Sequence, residues 1–293
     1  MITPAHRRVP RVAAIHDLSC FGRCALTVIM PTLSVMGLQC VPLPTALLST
    51  HTGGFTDLHF LDLSDSMEHI ADHFARLPLT FDAIYSGFLG SERQIDTVAD
   101  FIDRHRESAD GRALVLVDPV MGDDGKLYST YTEPLQAGMR RLCEKADVIT
   151  PNLTEACFLT GTPWCDTSVM DEAHAHLFAA ELARKMTVFG TEQIVLTGVP
   201  FGDRIGTYIL DGSRAHPANC FYTVKRQPQS YPGTGDIFAS VLLGALMRGD
   251  GLVTAARTAA DFIHDVIGYS MSCGEPTRDG VLLEPMLGEL TKR

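Results

Sequence analysis

Short apolar runs of four or five residues alternate along the chain with longer stretches whose apolar positions recur every three or four residues. Arg11–Ile15, Asp82–Ser86, Ala113–Val117, Asp147–Thr150 and Gln193–Thr197 are runs of the first kind. Ala113–Val117 is apolar at every position, the composition of a strand buried on both faces of a parallel sheet. The longer stretches predict helices. Ala25–Met36 is bent at Pro31 and ended by Gly37, Ser66–Leu77 is capped near Ser64, and Ser91 with Gln94 forms a capping box for a helix to about Arg106. Further helices are predicted over Glu133–Lys145, from Asn152 to Gly161, over Asp171–Val188, over Ile237–Met247 and over Val253–Ser272. Gln39–Pro44 carries two prolines and reads as an edge strand. Arg204–Leu210 and Arg214–His216 read as a hairpin around Asp211-Gly212. No internal repeat, low-complexity tract or linker interrupts the pattern. Such alternation predicts one three-layer α/β domain spanning residues 1–293, with a mostly parallel central sheet.

Sheets of that kind bind ligands beyond the carboxyl ends of their strands. The polar residues after each strand therefore matter together. They are Asp17 and Ser19 in the loop His16–Arg23, Thr52 in the Gly-rich loop Ser49–Phe55, Gly87, Asp118 with Asp123, Thr150 with Asn152 and Glu155, and Thr197 with Gly198. One further stretch organises them: Tyr231-Pro-Gly-Thr-Gly-Asp236, followed at once by the apolar run Ile237–Met247. The turn Gly233-Thr234-Gly235 then sits at a helix N-terminus, where unpaired N–H groups and the helix dipole favour an anion such as phosphate. Asp236 would repel that anion. It is either the base that takes a proton from an incoming hydroxyl or simply the cap of its helix.

Asp118, Asp123 and Glu155 are three carboxylates on two adjacent strand-end loops, the oxygen-rich environment Mg2+ accepts when phosphates complete its shell. Their bland alternative is turn, cap and solvated first-turn residues. No Walker A sequence is present, and no Gly-x-Gly-x-x-Gly follows the first strand. His69 and His73 lack the acid of a His-Glu-x-x-His motif and read as surface histidines, and Cys20 and Cys24 as buried thiols. Composition adds exclusions. The 293 residues carry a net charge of −11, which argues against a nucleic-acid or anionic-membrane partner. No apolar run reaches membrane-spanning length, and the basic N-terminus lacks the apolar stretch of a signal peptide. Eight scattered cysteines without a Cys-x-x-Cys pair predict reduced thiols in a cytoplasmic protein.

Together these motifs resemble a known family. Gly233-Thr-Gly-Asp236 with its apolar helix resembles the signature of the ribokinase-like superfamily. Ser49-Thr-His-Thr-Gly53, Tyr85-Ser-Gly-Phe-Leu-Gly90, Asp118-Pro-Val-Met-Gly-Asp123 and Thr150-Pro-Asn-Leu-Thr-Glu155 are similar, in order and spacing, to segments of pyridoxal/pyridoxamine kinases. The resemblance runs from about Arg11 to about Ser272. It implies a ribokinase-like fold and ATP-dependent phosphorylation of the 5′-hydroxymethyl group of a B6 vitamer. By that likeness Asp236 is the base and Gly233, Thr234 and Gly235 form the anion hole. Asp118, Asp123, Thr150 and Glu155 handle Mg2+ and a monovalent cation such as K+. Asn152, Glu155, Thr197, Gly198, Lys225 and Thr234 lie along the nucleotide, Lys225 from a flap that also carries Arg226. Asp17, Ser19, Thr52, Phe88 and Asp236 meet the vitamer. A homodimer is implied too. Phe88 stands where many relatives have Tyr. Asp17-Leu18 replaces their Ser-His and resembles hydroxymethylpyrimidine kinases of the same superfamily. A kinase for hydroxymethylpyrimidine or another small alcohol therefore stays open as the second reading, and a catalytically silent metabolite sensor as the third.

Overall fold

The computed structural model describes residues 8–108, 111–128, 131–213 and 217–291. Nine strands form the central sheet: β1 (Arg11–Phe21), β2 (Gln39–Thr50), β3 (Phe60–Asp62), β4 (Ala83–Ser86), β5 (Leu114–Val117), β6 (Val148–Ile149), β7 (Gln193–Phe201), β8 (Arg204–Asp211) and β9 (Ala218–Lys225). Their order across the sheet is β9-β8-β7-β6-β5-β4-β1-β2-β3. The six strands from β7 to β2 run parallel, while β3, β8 and β9 add antiparallel margins.

Eight helices cover the sheet: α1 (Leu26–Val35), α2 (Ser64–Arg76), α3 (Glu92–His105), α4 (Glu133–Cys143), α5 (Leu153–Thr160), α6 (Glu172–Met186), α7 (Thr234–Arg248) and α8 (Leu252–Ser272). Strand side chains alternate between two cores, as the period of two requires. Ala13, Ile15, Ile84, Val115, Val117, Ile149 and Ile194 pack against α2 to α6. Val12, Ala14, Tyr85, Leu116, Val148 and Val195 pack against α1, α7 and α8. This two-sided burial makes the three layers and explains why the central strands read as unbroken apolar runs.

The ends of the elements differ in instructive ways. β1 continues through the predicted polar loop to Phe21, because Leu18, Ser19 and Phe21 pair with the similarly long β2. The prolines of β2 do not mark a sheet edge as such. β3 pairs only with Ala46–Leu48, so Pro42 and Pro44 lie where the outer side of β2 has no partner among the described residues. Ser91 caps α3, but Gln94 does not complete the box. Its carbonyl oxygen accepts from Gly90 N at 2.8 Å and its amide donates to Thr45 O at 2.9 Å, tying α3 to β2. Asp62 rather than Ser64 serves the start of α2, by accepting from Ser64 N at 2.7 Å. β8 forms a hairpin, but with the unforeseen β9; Arg214–His216 lies outside the described residues. All eight cysteines are free, with Cys24 buried but Cys20 exposed rather than buried. No helix of the described residues is long and apolar enough to cross a membrane.

Candidate active site

α7 begins where the sequence places the glycine turn, and the two glycines have different reasons. Gly233 has φ +80°, and a Cβ there would stand 2.1 Å from Arg23 O, so the turn is wedged against the start of α1. A Cβ on Gly235 would meet nothing within 4 Å, so its smallness leaves room for a guest rather than for the fold. Asp236 sits one residue further into the helix. It does not cap α7, which has no side-chain cap. Instead Asp236 Oδ2 accepts from Ala25 N at 2.8 Å. Ala25 is the N-cap of α1, at φ 48°, so one carboxylate faces two helix N-termini. An unperturbed Asp has a pKa of about 3.9. Burial, opposed by the Ala25 N–H and reinforced by the nearby Asp17 charge, pushes Asp236 up to about 7. That range suits a base working near neutrality.

On one side of Asp236 the ends of β5, β6 and β7 form a cleft of about 470 Å³. It is lined by Asp118, Asp123, Thr150, Asn152, Glu155, Thr197, Gly198, Lys225 and Gly233–Asp236. Hydrogen bonds to the backbone lock this side. Asn152 and Glu155 form a complete capping box on α5. Glu155 Oε2 accepts from Asn152 N at 2.8 Å and Oε1 from Met121 N at 3.1 Å, clamping the loop after β5 to the start of α5. Asn152 Nδ2 donates to Gly122 O at 2.9 Å, holding the ribbon of Gly122–Asp123 and Lys126–Leu127 that carries Asp123. Asn152 also bridges to Thr197, beside the bulge where Gly198 takes φ +67°. Asp118 is buried at the end of β5 and pushed up to about 8, by burial and then by the charge of Asp236. Thr150 Oγ1, Ser86 Oγ and both ring nitrogens of His16 are buried without a hydrogen-bond partner. Thr150 follows β6 and Ser86 ends β4, while His16 lies in the middle of β1 at its register shift. Among the described residues no three His, Cys, Asp or Glu side chains form a ready-made metal group, and His69 and His73 lie exposed on α2.

On the other side lie the ends of β4, β1 and β2. Asp17 is 8% exposed and accepts from the fully buried Ser19 hydroxyl at 2.9 Å. Burial raises its pKa, and it has no ion-pair partner among Lys and Arg of the described residues. His51 Nδ1 accepts from Gly53 N at 3.0 Å, which assigns the Nε2 proton to the 2.6 Å bond with Arg278 O. That pins the base of the loop bearing the exposed Thr52. Phe88 is half-buried, with its carbonyl accepting from Thr45 Oγ1 at 3.1 Å. None of Asp17, Ser19, Thr52 and Phe88 lines the 470 Å³ cleft. The site is thus two halves, with Asp236 in the cleft wall and electrostatically coupled to Asp17. His16 and Ala25 were not marked by the sequence. A backbone N–H has no residue signature, and His16, followed by Asp17, reads as the start of a polar loop rather than as a buried strand residue.

Residues 14–279 match the family described as phosphomethylpyrimidine kinase. The chain belongs to that family. It is 31% identical over 261 residues to the pyridoxine/pyridoxal/pyridoxamine kinase of Bordetella avium, covering 86% of this chain and 82% of the relative. A candidate phosphomethylpyrimidine kinase of Bacteroides thetaiotaomicron, crystallised with pyridoxal, superposes with a TM-score of 0.86 at 40% identity. That match covers 97% of this chain and 96% of the other. Pyridoxal kinase from Lactobacillus plantarum gives a TM-score of 0.84 at 31% identity, over 97% and 98% of the two chains. The phosphomethylpyrimidine kinase family thus embraces relatives named for B6 vitamers, and the expected three-layer α/β fold is the fold found.

Proposed function

We propose that this chain phosphorylates the 5′-hydroxymethyl group of a B6 vitamer with ATP, giving the 5′-phosphate in vitamin B6 salvage. The observation that carries the reading is Asp236. Its carboxylate stands at an anion-binding helix N-terminus beside an open glycine, coupled to an acceptor half on one side and lining a nucleotide-sized cleft on the other. The kinship with enzymes named for pyridoxal supports the acceptor.

In this reading Asn152, Thr197, Gly198, Thr234 and Lys225 bind ATP. The N–H groups from Gly233 to Gly235 stabilise the phosphoryl group in transfer. Asp236 removes the hydroxyl proton as the phosphoryl group arrives, and Ala25 N–H holds its other oxygen. Asp17, Ser19, Thr52 and Phe88 orient the vitamer ring. Asp17, a buried carboxylate with no Lys or Arg ion pair among the described residues, fits an N–H donor of the ring or its substituent. Asp118, Asp123 and the orphaned Thr150 hydroxyl are the residues that would hold Mg2+ and a monovalent cation such as K+. Glu155, whose two oxygens already serve backbone N–H groups, keeps their loops in register and would support such ions from there. Bound there, the cations supply positive charge to phosphates that meet few Lys or Arg side chains. A cytoplasmic homodimer completes the reading.

Asp17 and the family description also favour a second reading, hydroxymethylpyrimidine as acceptor. An ATP-coupled assay across pyridoxal, pyridoxamine, pyridoxine and hydroxymethylpyrimidine, with products identified by mass, decides. Turnover confined to hydroxymethylpyrimidine rejects the B6 reading; no turnover of any acceptor rejects both.

A further inference from the structure

His16 is a buried titratable group beside Asp236 to which the proposed mechanism gives no part. It is fully buried on β1, and neither ring nitrogen has a hydrogen-bond partner. A buried N–H without an acceptor costs free energy, so such an orphan calls for an explanation. The packing fixes where the ring points. Its edge meets Tyr85 at 4.2 Å between centroids with planes 68° apart. A Cβ on Gly87 would stand 2.2 Å from His16 Cε1, so Gly87 is small because His16 lies over it. Nδ1 is then 4.0 Å from Asp236 Oδ1, beyond hydrogen-bond range by about 1 Å.

The rest of Asp236 is already held. Oδ2 accepts from Ala25 N, and the main-chain carbonyl accepts from Ser240 Oγ at 2.7 Å and from Tyr85 Oη at 3.4 Å. Oδ1 accepts from no group among the described residues. A ring nitrogen and a carboxylate oxygen, neither bonded to another group among the described residues, therefore stand 4.0 Å apart. We infer that His16 is a positioning residue, a neutral imidazole whose Nδ1–H hydrogen-bonds Asp236 Oδ1 and fixes the plane of the carboxylate when the acceptor alcohol is bound.

Neutrality matters to this role. An imidazolium would form an ion pair with Asp236 and weaken it as a base. Complete burial keeps His16 uncharged, with its pKa lowered to about 3. A neutral donor orients the carboxylate and leaves its second lone pairs for the alcohol proton.

The inference rests on the reading of Asp236 as base, so its test has one arm that needs no turnover. In ¹⁵N spectra of the histidine-labelled enzyme at pH 7, the signal missing from His16 variants should be a neutral ring protonated on Nδ1. An Nε2-protonated ring or an imidazolium overturns the proposal, whatever the enzyme phosphorylates. The second arm is kinetic. His16→Phe fills the space against Tyr85 and removes the donor; His16→Asn keeps an N–H near the Nδ1 position and leaves a void. Positioning predicts that Phe lowers kcat about tenfold or more, with KM for ATP and vitamer within about twofold, and that Asn keeps kcat within about threefold despite a lower melting temperature. A purely packing role predicts the reverse order, active Phe and impaired Asn, and that result overturns the inference. Failure of the wild-type enzyme to phosphorylate any vitamer sinks the B6 reading instead and leaves the tautomer result to decide on His16.

Discussion

The two halves of the site are built by different means. The half at the ends of β5, β6 and β7 is held by side chains that bond to backbone: the Asn152–Glu155 box, the Glu155 bond to Met121 N, and the Asn152 bond to Gly122 O. The half at the ends of β4, β1 and β2 is centred on a buried side-chain pair, Asp17 with Ser19, with His51 tied to the backbone at Arg278 O beneath an exposed loop that carries Thr52. A lattice of backbone bonds is indifferent to what the acceptor is and can stay fixed while acceptors change. In the proposed reading, the buried side-chain chemistry is where a change of one residue changes the acceptor. Asp236 belongs to both halves, since its carboxylate bonds to Ala25 beside β1 and its helix opens on the cleft.

The sharpest way to break this comparison is at the shared residue. Asp236→Asn is nearly isosteric and can still accept from Ala25 N, but it cannot act as the base. It should fold, bind ATP and vitamer with KM values near those of the parent, and lose at least about a hundredfold in kcat. The same variant carries a stability signature. Burial raises the folded-state pKa of Asp236 from 3.8 to about 7, so the native state holds the extra proton between those values. Native stability therefore falls as pH rises through that window, and Asn is free of the cost. The variant should melt higher than the parent at pH 8, with the gap closing toward pH 4. Wild-type kcat, which needs the ionised base, should fall as pH drops below about 7. An active Asn variant with an unchanged pH profile would return Asp236 to a structural role.

Next in size is the glycine pair. Gly235→Ala intrudes only on open space and should leave the melting temperature within about 2 °C of the parent while lowering kcat tenfold or more. Gly233→Ala meets Arg23 O and a left-handed φ, so it should be destabilised by about 1–3 kcal/mol. Equal melting temperatures for the two would contradict the separate reasons assigned to them.

Within the nucleotide half, Glu155→Gln leaves only one acceptor oxygen for two backbone donors. We expect KM for ATP to rise about tenfold and stability to drop by about 1–3 kcal/mol, with KM for the vitamer little changed. Excess Mg2+ should restore part of the activity, as it should for Asp123→Asn. Titrations with ATP and Mg2+ showing no difference from the parent would remove both residues from the nucleotide half.

The smallest effect belongs to the acceptor loop. Thr52→Val keeps the shape and removes one hydroxyl, so KM for the vitamer should rise a few-fold while KM for ATP stays put. A change in ATP alone would move this loop to the other half.

The sequence by itself determined the layering and the local frame of the cleft. Unbroken apolar strands such as Leu114–Val117, separated by amphipathic helices, have one economical arrangement, buried on both faces. Asn152 and Glu155 were legible because a capping box is a local device, three residues apart on one helix. The glycine turn was legible because Gly233, at φ +80°, stands where other side chains are strained. What the tertiary structure decided is everything that depends on groups far apart in sequence. Asp236 accepts from Ala25 across 211 positions, which no cap rule foresees. Its raised pKa follows from burial and from Asp17, neither of which is a property of its neighbours in the chain. β1 extends past His16 only because β2 is long enough to pair with it, and this extension buries His16 beneath Asp236. Local hydrogen bonds and chain geometry write themselves into residue type at fixed spacing; charge, burial and donor–acceptor pairing between strands exist only once the strands have met.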